Sequence, residues 1–527
     1  MTQQWDDETD VLVVGFGGAG ACAAIEAADN GSEVLALDRF DGGGATAISG
    51  GVVYAGGGTA QQKDAGFADT TGAMLEYLRL ETNGAVSDET LREFCETSID
   101  NLEWLQSHGV PFDSSFCPYK TSYPTNEHYL YYSGNEITPP YSEVAEPAPR
   151  GHRVHGKGTS GKGLTDNLDA AARAKGVRVW RQSTVTELIT DASGNVIGAQ
   201  CMRLPGGFKR AAHRLLSNWN RKLNIYYRPL GKRLDGPLRR IERSGVLTRV
   251  RARRGVVLAA GGFVFNKPML TEHAPAYRSG SALGTIGDDG SGIRLGRAVG
   301  GATTRMHRVS AWRFINPPVA LSKGVLVDGA GERFVNELSY GAKVGERMVE
   351  EHGGIAYLIA DQRLVDEAKR QLPEQTLWFQ RLQMEYLFRA GHIKADSVEE
   401  LARRTGIDER GLVRTLSAYN AGGPDAFGKA EQYLQAIERG PYYAFDCSLR
   451  TRQGYPCPMI TLGGLAVDEA SGLVARADGS TIAGLYAAGR NASGICSESY
   501  VSGLSLADCV YSGRRAGRHV ATRESSA

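Results

Sequence analysis

The chain has 527 residues, which at about 150 residues per domain suggests roughly three structural units or two large interwoven domains. Its formal net charge of +1 and ordinary apolar fraction of 42% give no case for a nucleic-acid partner, and its eight scattered cysteines, without a C-x-x-C pair, argue against a metal site. The polar N-terminus lacks a signal peptide and no run of about 18 apolar residues exists, so we expect a cytoplasmic protein with reduced thiols.

The first forty residues alternate between short apolar runs and a helix of small residues. Residues 11–14 and 34–37 are short, continuous apolar runs that suit buried parallel strands. Residues 21–28 between them are rich in alanine, which favours a helix. The pattern predicts a strand–helix–strand unit with both strands in one parallel sheet.

Glycines stand at the turn from the first strand into the helix, in the order G-x-G-x-x-G. Gly15 allows the tight turn, Gly17 lets a pyrophosphate approach the backbone, and Gly20 lets the helix pack closely on the strand. The helix N-terminus, at Gly18 and Ala19, offers unpaired N–H groups to the phosphates. Asp38, at the end of the second strand, is placed to bind ribose hydroxyls. The spacing predicts a dinucleotide site.

A second glycine-rich loop, DGGGATAISGG at residues 41–51, follows the acid at once. A second loop so close to the ribose site suits a long, extended dinucleotide such as FAD better than NAD. With Thr46 and Ser49 in this loop, the chain resembles the flavoproteins of the fumarate reductase/succinate dehydrogenase superfamily. The resemblance implies that the loop lies beside the pyrophosphate and the flavin of a bound FAD.

The fold class predicted on this basis is α/β: a Rossmann-like FAD-binding domain (GR2-type) with an inserted α+β capping or catalytic domain. Residues 1–275 and 446–527 are assigned to the FAD-binding domain and residues 276–445 to the inserted substrate domain. Two downstream segments resemble the closing strand and the flavin-contacting loop of that domain: RGVVLAAGGF at 254–263 and GLYAAGRNASG at 484–494.

Local patterns predict further elements. Strands are expected within residues 177–190, with a turn at 191–195; inside the middle domain we expect a turn and helix at 284–301, a β-hairpin at 324–337 and helices at 397–420. Spacing and resemblance together make the following residues candidates for cofactor binding: Gly15, Gly17, Gly18, Ala19, Gly20, Asp38, Arg39, Gly44, Ala45, Thr46, Gly50, Gly51, Val185, Ala260, Gly261, Asn266, Gly489, Arg490, Ser505 and Leu506.

Residues 203–245 fit neither domain. This segment contains about a dozen lysines and arginines but only two acidic residues, Asp235 and Glu242. Leucines and aromatic residues are interleaved with the basic ones. Such a mixture is typical of a segment that lies on a membrane surface. A solvated excursion between strands and an oligomer contact are the alternatives, and a monomer and a homodimer are both compatible with the sequence.

The chain carries no second dinucleotide motif, so we expect the substrate itself to exchange a hydride with the flavin. Soluble fumarate reductases of the superfamily use an arginine acid near the C-terminus, where this chain has Tyr500. The dicarboxylate-binding histidine of those enzymes is also missing from PCPMITLGGL at 456–465. Without these cations a dianionic substrate lacks charge partners, so a neutral ketone is favoured.

Motifs along most of the chain outside residues 203–245, the basic segment, also favour a ketone substrate. WDDETDVLVVGFGGAG, GGGATAISGGVVYAGGGT, VPFDSSF, EPAPRGH, RARRGVVLAAGGF, VLVDG, ITLGGL and SYVSGLSLADCVYSGRRAG resemble the 3-ketosteroid Δ4-(5α)-dehydrogenases. That family uses FAD to oxidise the C4–C5 bond of 5α-reduced 3-ketosteroids. The resemblance implies a steroid ketone substrate and an external electron acceptor that the sequence does not identify.

By this resemblance, Tyr500 and Ser502 match the Tyr-x-Ser motif of the family and Tyr340 matches another active-site tyrosine. We assign removal of the C4 proton to Tyr500 with Ser502 as relay, transfer of the C5 hydride to flavin N5, and stabilisation of the C3 oxygen to Tyr340 and a backbone N–H. The reverse division of roles between the two tyrosines stays open. Aromatic residues are candidates for the walls of a steroid slot: Tyr54, Phe116, Tyr119, Trp312 and Phe314.

Three alternatives stay open. A related ketosteroid enzyme that oxidises C1–C2 has the same fold and cofactor with a different placement of tyrosines. A fumarate-reductase-type flavoprotein is disfavoured by the missing cations. A flavin-binding redox protein at the membrane surface, without a steroid role, is the alternative from a different class of function.

Overall fold

The computed structural model of the chain describes residues 4–226, 228–451 and 453–524. The first and last three residues and residue 227 of the basic segment lie outside the described residues. The strands are, in chain order, β1 Asp7–Val14, β2 Val34–Asp38, β3 Val52–Tyr54, β4 Leu130–Tyr131, β5 Gly151–Arg153, β6 Arg178–Arg181, β7 Ser183–Thr190, β8 Val196–Arg203, β9 Val246–Leu258, β10 Ser281–Ala282, β11 Thr303–Thr304, β12 Val309–Ala311, β13 Val325–Val327, β14 Tyr357–Asp361, β15 Ile393–Ala395, β16 Tyr442–Asp446, β17 Pro458–Thr461, β18 Gly464–Leu465, β19 Leu473–Ala475 and β20 Thr481–Ala487.

The helices complete the secondary structure, together with short 3₁₀ turns. They are, in chain order, α1 Gly18–Asp29, α2 Ala60–Asp64, α3 Thr71–Thr82, α4 Asp88–Glu96, α5 Ser98–Ser107, α6 Tyr141–Val144, α7 Gly161–Ala174, α8 Phe208–Tyr226, α9 Arg228–Glu242, α10 Lys267–His273, α11 Ser291–Ala298, α12 Gly341–Glu350, α13 Gln362–Gln375, α14 Trp378–Arg389, α15 Val398–Thr405, α16 Glu409–Asn420 and α17 Leu504–Thr522. The predicted strands at 177–190 and the predicted helices at 284–301 and 397–420 are confirmed.

A large sheet forms the centre of the part of the chain that is predicted to bind FAD. Its strand order is β19-β20-β9-β1-β2-β6, with β8 pairing β9 and β7 pairing β8. The strands from β20 to β6 run parallel, and Val13 lies between Ala36 of β2 and Val257 of β9. The predicted strand–helix–strand unit is confirmed, and its strands are closed by elements from the far ends of the chain.

Helices α1 and α17 pack side by side against this sheet. Glycines make the close approach possible, because a Cβ on Gly513 would lie 2.6 Å from the carbonyl oxygen of Ala19. A Cβ on Gly517 would overlap the carbonyl of Ala23 in the same way. This packing fixes α17, and with it the turn before α17, against α1.

The middle segment builds its own antiparallel sheet, in the order β13-β14-β16-β15. The hairpin predicted at 324–337 is only partly formed, because β13 pairs with β14 and meets the returning chain in a single bridge from Val327 to Arg333. The carboxylate of Glu337 accepts a hydrogen bond from the backbone N–H of Leu326 at 2.9 Å instead. Strand β17 pairs with β10 and β12 across the predicted domain boundaries, which stay a prediction.

The basic segment folds as a hairpin of two helices, α8 and α9, between β8 and β9. One face packs on the FAD-binding domain and the other leaves apolar side chains in solvent, with Phe208 87%, Leu215 60% and Trp219 55% exposed. In the described part of the chain, no helix combines the length and apolar character needed to cross a bilayer. Contact of this hairpin with a membrane surface stays a prediction.

Candidate active site

A cavity of about 560 Å³ runs from the carboxyl ends of β1 and β2 to the N-terminus of α17. The predicted cofactor and catalytic residues that line it are Gly15, Gly17, Gly18, Ala19, Asp38, Arg39, Gly44, Ala45, Thr46, Gly50, Gly51, Val185, Ala260, Gly261, Arg490, Ser505, Leu506, Tyr340, Tyr500 and Ser502. The fold therefore brings together positions that lie almost 500 residues apart in the sequence.

The glycine turn after β1 has the shape that a pyrophosphate needs. Gly15 has a φ of +96°, and a Cβ there would lie 2.5 Å from the carbonyl oxygen of Ala259. Gly20 packs so closely on Gly15 that any side chain would displace the backbone. At Gly17 the nearest atom to an added Cβ is 3.7 Å away, so the backbone is open to a ligand on that side. These positions fit the diphosphate of a dinucleotide.

Asp38 and Thr46 hold the backbone around the same turn. The Asp38 carboxylate accepts hydrogen bonds from the N–H groups of Phe16 at 2.9 Å, Phe40 at 2.8 Å and Gly42 at 3.1 Å. Thr46 Oγ1 accepts one from the N–H of Gly18 at 3.2 Å. Since a carboxylate has about four acceptor positions, Asp38 retains capacity for a ribose hydroxyl at the cavity surface.

At the other end of the cavity, the first turn of α17 presents Ser505 and Leu506. Gly503 caps the helix with a φ of +94°. The positive end of the helix dipole lies at this terminus, where it would stabilise the negative charge of a ring that accepts electrons. Arg490 donates to Asp288 at 2.8 Å, and its buried Nη1 has no hydrogen-bond partner among the described residues. A buried donor left over beside a cavity fits a polar ligand edge such as that of a flavin.

Gly20, Asn266 and Gly489 do not line the cavity. Gly20 acts through helix packing, as expected. The N–H of Gly489 donates to Ser512 Oγ at 2.9 Å, which ties its loop to α17. Asn266 caps α10 by accepting from the N–H of Met269 and donates to the Asp289 carbonyl at 2.8 Å, so its amide is occupied by the protein itself. These contacts give Gly489 and Asn266 a structural role.

Tyr500 lies in an aromatic part of the cavity. Its ring stacks on Trp312 at 5.1 Å between centroids, and Tyr340 approaches it at 6.3 Å. Phe314 packs edge-on against Tyr340 at 5.6 Å. Both tyrosines are buried, at 8% and 4% exposed. Flat, apolar walls with two phenolic hydroxyls suit a flat, apolar ketone.

Ser502 connects this cavity to a tyrosine behind it that the sequence analysis missed. Its Oγ lies 3.0 Å from the hydroxyl of Tyr131, a fully buried residue of β4 that does not line the cavity. The backbone N–H of Ser502 donates to the carbonyl of Ser133, two residues after β4, at 3.3 Å, so the turn packs on the end of this strand. No motif marks Tyr131, because the partner is 371 residues away.

A buried carboxylate holds the backbones that carry the two tyrosines. Glu81 of α3 accepts from Ser499 Oγ at 3.0 Å and from Asn135 Nδ2 at 2.9 Å. Asn135 Oδ1 in turn accepts from the N–H of Tyr340 at 2.7 Å. One polar cluster therefore fixes Tyr340 in the middle segment relative to the residue just before Tyr500.

Burial raises the pKa of both cavity tyrosines above the ordinary value for a phenol. At Tyr500 the charge of Arg490 works against that rise, and at Tyr340 the neighbouring tyrosines add to it. The phenols therefore hold their protons at neutral pH.

Two of the five aromatic residues predicted to form the walls of a steroid slot line the cavity. Trp312 and Phe314 line the cavity, whereas Tyr54, Phe116 and Tyr119 do not. The opposite wall comes from α14, with Phe379, Gln383 and Met384 at helical spacing. These residues were not predicted from the sequence, since a 3.6-residue period along a helix does not distinguish a cavity wall from a core face.

A dinucleotide cleft that continues into an aromatic cavity with paired tyrosines defines a flavoprotein oxidoreductase. Residues 10–503 match the family described as FAD binding domain, so the chain belongs to this family and FAD is its cofactor. The predicted α/β architecture is that of the family.

Among its relatives is the 3-oxo-5-alpha-steroid 4-dehydrogenase of Comamonas testosteroni, 40% identical over 92% of this chain and 93% of that protein. Among solved structures, the 3-ketosteroid-delta4-(5alpha)-dehydrogenase of Rhodococcus jostii RHA1, in complex with 4-androstene-3,17-dione, is 31% identical with a TM-score of 0.82 over 99% of both chains. The 3-ketosteroid delta1-dehydrogenase of Sterolibacterium denitrificans has a TM-score of 0.68 at 20% identity, over 98% of this chain and 99% of that chain, which shows a shared fold alone.

Proposed function

We propose that the protein is a 3-oxo-5α-steroid 4-dehydrogenase, which introduces a C4–C5 double bond into 5α-reduced 3-ketosteroids and passes the electrons to an external acceptor. The observation that carries the proposal is that Tyr500, stacked on Trp312, and Ser502, hydrogen-bonded to Tyr131, line one aromatic cavity beside the FAD cleft. The relatives named above, alike over nearly the whole chain, support this substrate class.

The aromatic side chains bind and orient the steroid. Trp312, Phe314 and Phe379 enclose a flat space beside Tyr500 and Tyr340. Burial of a rigid apolar ring system there excludes water, which strengthens every hydrogen bond to the ketone. Bound FAD supplies the acceptor for the hydride that leaves C5.

Tyr500 removes the C4 proton. The C4–H is acidified by the adjacent ketone, but a neutral phenol is a weak base, so the phenolic proton has to leave as the C4 proton arrives. Ser502, which lines the cavity, takes up that proton as it gives its own hydroxyl proton to water in the cavity, and the Tyr131 hydroxyl holds the serine from behind. The chain of hydroxyls thus lets a tyrosine of raised pKa act as a base.

Tyr340 donates a hydrogen bond to the C3 oxygen. Its raised pKa keeps the phenol protonated and available as a donor. Charge on the C3 oxygen grows as C4 loses its proton, so a donor fixed in place stabilises the transition state more than the bound ketone. The Asn135 contact to the Tyr340 backbone holds this donor in position.

Removal of the Tyr131 hydroxyl tests the relay. We expect Tyr131→Phe to lower kcat about 2- to 12-fold with KM unchanged, because one buried hydrogen bond contributes about 0.5–1.5 kcal/mol. The pH–rate profile of kcat should shift as well, since the serine loses its partner. Tyr129→Phe, whose hydroxyl donates to the Gly156 carbonyl at 3.1 Å, is the matched control. Equal kinetics in the two variants would exclude Tyr131 from the relay.

Product analysis tests the reaction itself. The enzyme is incubated with 5α-androstane-3,17-dione and an artificial electron acceptor, and the products are separated by chromatography and identified by NMR. We expect 4-androstene-3,17-dione. The matching 3-hydroxysteroid should give no product, because without the ketone the C4 proton is not acidic.

Two results would contradict the proposal. A Δ1 product would assign the protein to the C1–C2 oxidising enzymes. Failure of any 3-ketosteroid to bleach the bound flavin under anaerobic conditions would remove steroids from the substrate class and favour the redox protein without a steroid role.

A further inference from the structure

The helical hairpin α8–α9 packs against the residues that follow β2, which by the dinucleotide pattern lie at the ribose end of the FAD site. Each of the three residues after Asp38 meets the hairpin. Arg39 donates two hydrogen bonds to the carboxylate of Glu242, at 2.9 and 3.0 Å. Phe40 stacks on His213, with ring centroids 5.9 Å apart and planes 10° from parallel. Asp41 pairs with Arg214 at 3.1 Å.

These contacts are buried at their centre. His213 is fully buried, and its Nε2 lies 3.2 Å from the Glu242 carboxylate that also binds Arg39. Arg39 is further paired with Asp289 at 2.9 Å on the opposite side. The forked guanidinium–carboxylate geometry fixes the orientation of Arg39 as well as its charge.

The two helices of the hairpin are also locked to each other. Asn220 of α8 is 1% exposed and donates from Nδ2 to the Gly231 carbonyl at 3.0 Å and to Asp235 Oδ1 at 2.8 Å on α9. A buried amide bridging two helices sets their register. The hairpin therefore meets the cleft as a fixed surface.

One face of α8 lines the same cavity as Arg39 and Val185. Its lining residues are Ser217, Asn218, Asn220 and Arg221. Arg221 donates to Asn218 Oδ1 at 3.2 Å, and this pair puts a guanidinium and an amide at the cavity wall. A guanidinium suits both the phosphates and the face of an adenine ring.

We propose that the α8–α9 hairpin is the wall of the FAD site on the adenosine side, and that Arg221 with Asn218 holds the adenosine diphosphate half of the cofactor. The hairpin then determines how tightly FAD is retained. The inference goes beyond the proposed function and does not depend on the steroid, because it concerns the cofactor alone.

The test compares Arg221 with its neighbour Lys222, which is exposed on the other side of the helix. Holoenzymes of Arg221→Ala and Lys222→Ala are diluted, and FAD release is followed by the rise of flavin fluorescence. We expect release at least about ten-fold faster from Arg221→Ala, because a hydrogen bond from a charged group is lost. Lys222→Ala should match the unchanged protein.

The affinity of the same proteins for FMN, which lacks the adenosine half of FAD, shows whether Arg221 acts on that half alone. Arg221→Ala should bind FMN as well as Lys222→Ala does, while its FAD affinity falls. Equal rates of FAD release in the two variants would overturn the proposal, and so would a loss of FMN affinity as large as that of FAD. If the melting temperature of Arg221→Ala at saturating FAD is lowered, Arg221→Gln repeats the test with a side chain of similar length.

Discussion

Replacement of Tyr500 by phenylalanine is expected to lower kcat by about 10²–10⁴-fold, the usual cost of losing one general acid or base. The variant keeps the ring that stacks on Trp312 at 5.1 Å, so the shape of the cavity is retained while the hydroxyl is lost. Turnover is measured with a 3-ketosteroid at saturation, and FAD content is measured from the flavin absorbance of the purified protein.

The matched control is Tyr486→Phe. Tyr486 is also fully buried, but its hydroxyl contacts His519 at 3.1 Å on the far side of α17 and does not line the cavity. Both variants should bind FAD fully, and only Tyr500→Phe should lose turnover. Near-normal turnover of Tyr500→Phe with bound FAD would remove this residue from the mechanism.

The part of the site that follows from local sequence was predictable. The turn after β1 needs glycine at fixed positions, since Gly15 has a positive φ and Gly20 admits no side chain. Such constraints act within a few residues, so they leave a pattern in the sequence. The Tyr500-x-Ser502 pair is also local, because both residues lie in the turn before α17.

Contacts between distant segments left no such pattern. Tyr131 meets Ser502 because β4 lies beside the turn before α17, and Glu81 meets Ser499 because α3 lies beside the same turn. The basic composition of residues 203–245 suggested a membrane surface. It did not reveal that the Arg39 guanidinium binds Glu242, one of the two acids in that segment. Composition indicates solvation and charge, whereas pairing depends on the fold.

Replacement of Glu337 by glutamine is expected to destabilise the middle segment strongly. Its fully buried carboxylate accepts from Arg333 at 2.7 and 2.8 Å, from Lys429 at 3.1 Å and from the N–H of Leu326 at 2.9 Å. Removing one partner of a buried ion pair costs about 3–5 kcal/mol, because here two buried cations are left with a single carboxylate, that of Asp425, which pairs with Arg333. For a unit of 150–250 residues, that is roughly 6–20 °C in melting temperature.

Calorimetry of Glu337→Gln and Glu332→Gln at neutral pH measures this difference. Glu332 lies in the same loop and pairs with Arg414, but about half of its side chain is exposed at 49%, so its replacement should cost no more than about 1 kcal/mol. Equal melting temperatures in the two variants would contradict the assignment.

The contribution of Glu337 to the free energy of unfolding depends on pH, and its sign follows from the direction in which the pKa of Glu337 is shifted. Burial alone would raise the pKa of Glu337, but the charges of Lys429 and Arg333 outweigh it and lower the pKa below the ordinary value. A lowered pKa stabilises the folded state above the pKa of the unfolded chain, near 4.3, and that stabilisation is lost as the pH falls through the folded value. Since glutamine resembles the protonated acid, the gap between the melting temperatures of the unchanged protein and Glu337→Gln should begin to narrow once the pH falls below the unfolded value, and it should close as the pH falls through the lower folded value. A gap that stays constant on acidification would show that the charge of Glu337 is not what holds the Arg333–Lys429 cluster together.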